Sequence, residues 1–172
     1  YPIAKIAAKT AVGLTLDEIV NPVTKINYAA TEPAIDYIVT KLPRFAFDKF
    51  TTADMRMGTQ MKATGEVVSM GRTFEESLLK SIRSNEIKAD HIELENMPKT
   101  EEELYAKIKF RDSERLFAIM QYIRQGYDLE KIYRLTKIDR FFLNKLVHIF
   151  ELEKEVENKN MSMLLEFKKY GF

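Results

Sequence analysis

In the C-terminal half of the chain, apolar residues recur at helical spacing. Leu116, Ile119, Met120 and Ile123 form one stripe, and Gly126 follows where a glycine would close the helix. Ile138, Phe142, Leu146, Ile149 and Val156 predict a longer helix, with Thr136 and Asp139 as its start signals. Thr100 with Glu103 is a T-x-x-E capping box, which predicts a helix running to about Phe110. Asp128 predicts a short helix through Tyr133, and SMLLEFKK a final one ending near Gly171. Short joints between these segments favour a compact helical bundle.

The N-terminal half is patterned differently. Ile3, Ile6, Ala7 and Thr10 share one helical face, and Gly13 is the expected terminator. Thr15 is placed to cap a short helix over LDEIV, and residues 21–34, with two prolines and no periodicity, read as a loop. IDYIVTKL is rich in β-branched and aromatic residues and predicts a strand that stops at Pro43. TQMKAT predicts a second short strand, with Gly65 bending the chain into EVVSM and Gly71 ending it. Thr73 with Glu76 repeats the capping box, so a helix is expected from Phe74 to about Ser84. Polar, irregular IKADHIELENMPK, 87–99, then marks a boundary. The fold class expected is α+β and mainly α: short antiparallel strands with helices over 1–86, then an all-α bundle over 87–172.

Composition narrows the function. The chain has 172 residues, 45% hydrophobic and 31% charged, as in globular proteins. Its 27 basic and 26 acidic side chains leave a net charge of +1, without the basic excess of a nucleic-acid binder. No apolar run approaches the ~20 residues that span a bilayer. With no cysteine, disulfides, thiolate metal sites and thiol nucleophiles are excluded, and a cytoplasmic location is expected. The start at Tyr1, already inside a helical pattern, reads as a piece of a longer chain.

The search for chemistry finds no complete constellation. His91, beside Asp90 and Glu93, lacks further metal ligands and reads as a loop residue; His148 reads as partly buried or surface. Ser69 and Ser77 have no histidine in their element. Gly65 and Gly71 flank bulky EVVSM, a poor phosphate cradle. Arg72 before a helix start is a candidate anion contact, or a partner for Glu66 or Glu75. Glu101 to Glu103 read as favourable charge at a helix N-terminus, and Glu155 with Lys159 as a surface pair. No catalytic, cofactor or metal residue is assigned. Eleven aromatics between Phe110 and Phe172 exceed what a small bundle buries easily, so some belong at an interface. Phe117, Tyr122, Phe141, Phe142 and Phe150 are the candidates.

Several motifs together resemble one family. MKATGEVVSMGRTFEESLLKSIR resembles the segment closing the first ATP-grasp (carboxyphosphate) domain in the large subunit of carbamoyl phosphate synthetase. YPIAKIAAKTAVGLTLDEI resembles the helix after that domain's active-site strand, and EPAIDYIVTKLPRFAFDKF a signature further on. IRQGYDLEKIYRLTKIDRFFLNKLVHIFELE resembles the oligomerisation domain, with Phe141 where the family often has Trp. The motifs are colinear along the chain, although 87–103 matches poorly.

The resemblance implies residues 1–86 as the end of the carboxyphosphate domain and 87–172 as the oligomerisation domain. The parent enzyme would make carbamoyl phosphate from bicarbonate, glutamine-derived ammonia and two ATP, aided by magnesium or manganese and potassium. Its partners would be the rest of the large subunit, a glutaminase small subunit and other large subunits. The family's ATP and metal ligands precede the helix at Tyr1, which implies an inert fragment. Met61 matches a methionine lining the family's carbamate tunnel. Two other readings stay open: a stand-alone helical adaptor, and an anion-binding module around Arg72.

Overall fold

Helix α1, Ile3–Ala11, turns its apolar face inward at Ile6, and Gly13 ends it with φ +102°, a conformation that costs glycine little. Residues after it form turns rather than the short helix expected over LDEIV. Thr15 and Glu18 close a single turn on themselves, Thr15 N–H donating to the Glu18 carboxylate and Glu18 N–H to the Thr15 carbonyl. A lone bridge between Val20 and Tyr28 follows, and Ile6, Ile19 and Ala29 form a three-residue core. This is one compact unit, Tyr1–Asp36; the other is Tyr37–Phe172. The computed structural model describes residues 1–158 and 161–172, so the expected Glu155–Lys159 pair involves a residue outside those described.

The second unit begins with an antiparallel pair, β1 (Ile38–Arg44) and β2 (Gly65–Gly71), in register Ile38 to Gly71 and Arg44 to Gly65. Pro43 continues β1 instead of stopping it. Thr64 N–H donates to the Arg44 carbonyl, so the backbone of Arg44 points toward β2 and that of Pro43 points away. Its missing N–H therefore costs no ladder bond. TQMKAT is not a strand: residues 45–64 form one long connection, and β2 starts at Gly65. Lys62 ties this loop, its ammonium donating to the Asp54 carboxylate and to the carbonyls of Asp54 and Arg56.

Helix α2, Phe74–Ser84, starts as the capping box predicts, with Glu76 N–H donating to the Thr73 hydroxyl. It packs under the sheet through Ser77, whose hydroxyl donates to the Ser69 carbonyl while the Ser69 hydroxyl donates to the Ser77 carbonyl. The approach is close: a Cβ on Gly71 would lie 2.8 Å from the Ser77 nitrogen. Beyond the irregular 85–99 segment come α3 (Glu101–Phe110), α4 (Arg115–Arg124), α5 (Leu129–Thr136) and α6 (Arg140–Glu157). A 3₁₀ turn, Met161–Met163, leads into α7, Leu164–Lys169. The molecule is thus mainly helical with a small antiparallel sheet, the α+β class expected.

One core serves this unit. Leu78, Leu79 and Ile82 of α2 join Leu104 and Ile108 of α3, the whole stretch Phe117–Ala118–Ile119–Met120 of α4, Ile132 of α5 and Leu143, Leu146 and Ile149 of α6. Each fully buried aliphatic contributes about 1.5–3 kcal/mol. The core crosses residue 86 without interruption. On α6 the inward stripe is Leu143, Leu146, Ile149 and Leu152, while Phe142 and Val156, expected on that face, point outward.

Candidate functional site

The corner where α2 meets α6 brings two exposed aromatics, Phe141 and Phe142, together with half-buried Phe74. Asp139 caps α6 by accepting from Phe141 N–H, which fixes Phe141 and Phe142 in its first turn. Their rings meet edge to face at 5.3 Å, and Phe74, in the first turn of α2, lies 5.5 Å from Phe142 and 6.3 Å from Phe141. Phe141 is 53% exposed and Phe142 45%. The Lys145 ammonium lies 5.7 Å from the Phe141 ring. An apolar surface with a cation over its edge suits a protein partner better than water.

Directly behind this corner is a buried ionic cluster. Glu75, in the first turn of α2, has no solvent access, and its Oε1 accepts from Lys145 Nζ at 3.1 Å and meets His148 Nδ1 at 2.7 Å. Burial pushes this carboxyl up, but the bonds from His148 and Lys145 and the helix backbone outweigh it, and the net shift is downward. Tyr170 closes the cluster, its ring edge-on to His148 at 4.8 Å. A second cluster lies further along α6, where Arg124 binds Glu153 through two nitrogens, at 2.7 and 3.0 Å, and His91 Nδ1 meets the same carboxylate at 2.7 Å. Burial again opposes ionisation of Glu153, and His91 and Arg124 together hold its carboxyl below the usual range. The Phe172 ring lies tilted against His91 at 5.0 Å.

These clusters place both histidines in structural roles. His91 is not a solvated loop residue, because Glu153 and Phe172 enclose it. Neither carboxylate was legible as a partner from sequence; the one hint was the pair of glutamates opening α2 in TFEE, where a single acid suffices for the cap. Among the described residues no group of three or more His, Asp or Glu side chains is placed to hold a metal.

The remaining candidates separate clearly. Phe117 and Tyr122 are corrected from surface to core: both lie inside the helical core, Tyr122 with 0% exposure and its hydroxyl donating to Glu101 at 2.7 Å. They fall on the inward face of α4 and present nothing to a partner. Phe150 is half-buried, with the Lys154 ammonium 4.1 Å over its ring. Met61 is 89% exposed beside the Lys62 tie. Arg72 is exposed and pairs with neither Glu66, which holds Lys41, nor Glu75. Its N–H donates to the Glu76 carboxylate at 2.8 Å, so an acid already occupies the start of α2.

The family model for the carbamoyl-phosphate synthetase large chain, oligomerisation domain, matches residues 66–172. The chain belongs to this family. The match takes in β2 and α2 as well as α3 to α7, and so covers the aromatic corner and both ionic clusters. Phe141 and Phe142 both lie within the matched residues. No helix among the described residues is long and apolar enough to cross a membrane.

Proposed function

We propose that this chain pairs copies of a carbamoyl-phosphate synthetase large chain, with Phe74, Phe141 and Phe142 at the centre of the contact. The observation that supports it is the half-exposed pair Phe141 and Phe142 in a domain whose family is named for oligomerisation. Aromatics that keep about half their surface in water gain most from a partner's apolar side chains. Behind them Glu75, Lys145 and His148 hold α2 against α6, so the three rings are presented by two helices fixed to each other.

In this proposal the residues ahead of 66 descend from the end of the carboxyphosphate domain and 66–172 form the oligomerisation domain. The parent enzyme makes carbamoyl phosphate from bicarbonate, glutamine-derived ammonia and two ATP, in the cytoplasm, with a glutaminase small subunit. ATP, magnesium or manganese, and potassium belong to parts of the parent outside this chain, which by itself is inert. Met61 lines the carbamate tunnel, where an apolar thioether adds no water to a labile intermediate. The stand-alone adaptor reading gives way to the family match.

Sedimentation equilibrium of the whole chain tests the pairing. Self-association at micromolar concentration, weakened in Phe141→Lys with Phe142→Ser, is the expected result. A strict monomer at high micromolar concentration would sink it.

A further inference from the structure

The chain has two histidines, and both sit in the same arrangement. Each meets a carboxylate through Nδ1 at 2.7 Å, His148 that of Glu75 and His91 that of Glu153. Each also lies against an aromatic ring of one short segment that follows α7. Tyr170 is 4.8 Å from His148, and Phe172 is 5.0 Å from His91. Between the two rings stands Gly171, at φ +93°, so close to α2 that a Cβ there would lie 3.0 Å from the Glu76 Cα. The N–H groups of Tyr170, Gly171 and Phe172 all bond back into α7. Ring contact and the close approach of Gly171 seat the segment on α2, α6 and His91.

Each cluster keeps one buried polar atom without a partner, Glu75 Oε2 in one and His91 Nε2 in the other. An unbonded buried polar atom costs free energy that access to water recovers. The closed arrangement therefore sets the packing of two rings against two unsatisfied atoms. Tyr170 and Phe172 flank a single glycine, so a movement of Gly171 away from Glu76 shifts both rings. We infer that Tyr170–Phe172 is a latch that opens and closes the two clusters together. Closed, its rings keep water from both histidines. Open, it admits water to Glu75 Oε2 and to His91 Nε2 at once. Glu75 holds α2 to Lys145 and His148 of α6, so opening the latch loosens the helices whose first turns carry Phe74, Phe141 and Phe142.

The test is NMR of the imidazole signals in the whole chain, where two histidines give two readily separated sets. Tyr170→Ala is expected to shift the signals of His91 as well as those of His148, which it touches. Phe172→Ala is expected to shift His148 as well as His91. Gly171→Ala leaves every ring and charge in place, yet alanine fits neither the positive φ nor the space beside Glu76, and both histidines should shift at once. Tyr170→Phe keeps the ring and should leave both sets where they are. The amide signals of α4, far into the core, report that each variant stays folded. Should Phe172→Ala not fold, Phe172→Leu puts the same question more mildly. If each ring variant moves only the histidine it touches, or if Gly171→Ala moves one set or neither, the two clusters are independent and the latch is overturned.

Discussion

Helices α4 and α6 carry similar aromatic cargo and use it in opposite ways. On α4, Phe117 and Tyr122 lie within the core, and nearly every residue between them is buried as well. On α6, Phe141 and Phe142 stand in the first turn, ahead of the inward stripe that starts at Leu143. The number of aromatics therefore says little about an interface. What decides is the phase of each ring against the core and its distance from the helix end, because a first turn overhangs its neighbours and leaves its side chains less covered.

The largest effect that would break this comparison is expected at α4. Tyr122→Ala removes a fully buried ring and should cost about 3–5 kcal/mol, read as a lower midpoint in denaturant unfolding. Tyr122→Phe loses only the bond to Glu101 and should cost about 1 kcal/mol. A Tyr122→Ala variant as stable as the parent would return Tyr122 to the surface.

Acid comes next, because the ionic clusters hold α6 to its neighbours. Glu75 and Glu153 have folded pKa values below the ordinary 4.5. The unfolded chain binds their protons more readily, so their contribution to stability is complete above about pH 5 and is lost as pH falls through the lower folded values. Thermal unfolding followed from pH 6 to pH 3 should show this fall, and Glu153→Gln should flatten part of it while lowering stability at neutral pH by about 1–3 kcal/mol. An unchanged acid slope in Glu153→Gln would remove Glu153 from the account.

Local rules were legible in the sequence; partnerships across the fold were not. Thr73 and Thr100 announced α2 and α3 to the residue, since a cap depends on atoms three positions apart. The strand at TQMKAT failed because a short apolar alternation has no strand to pair with there, and Lys62 found three oxygens in the loop instead. The stripe on α6 was misphased by Phe142 and Val156, which satisfy the period but lie on its edge. Glu75 reaches Lys145 and His148 across some seventy positions, a distance over which no spacing rule operates. The aromatic surplus pointed to an interface, but composition carries no phase, and so Phe117 and Tyr122 were grouped with Phe141 and Phe142.

The counterpart of the α4 experiment is small in stability and large in association. Phe141→Ser with Phe142→Ser removes half-exposed rings and should cost about 1 kcal/mol or less in unfolding of the monomer. The dissociation constant of the pair should rise by about tenfold or more, as when an interface loses its central aromatics. Equal loss in both measurements would make the corner part of the core rather than a contact.

The smallest effect is expected at Arg72, and it sharpens what a helix start can hold. Arg72→Ala should change stability by no more than about 0.5 kcal/mol, since its side chain is exposed and pairs with neither Glu66 nor Glu75. Phosphate should bind poorly to the parent chain, because the Glu76 carboxylate already takes the Arg72 N–H and would stand beside the anion. Removing the competing negative charge with Glu76→Gln should uncover whatever affinity Arg72 and the positive end of α2 have for phosphate, measured by calorimetry. Adding Arg72→Ala to Glu76→Gln should then abolish the heat. If Glu76→Gln alone gives none, the start of α2 serves only to be capped, and Arg72 contributes solubility and nothing more.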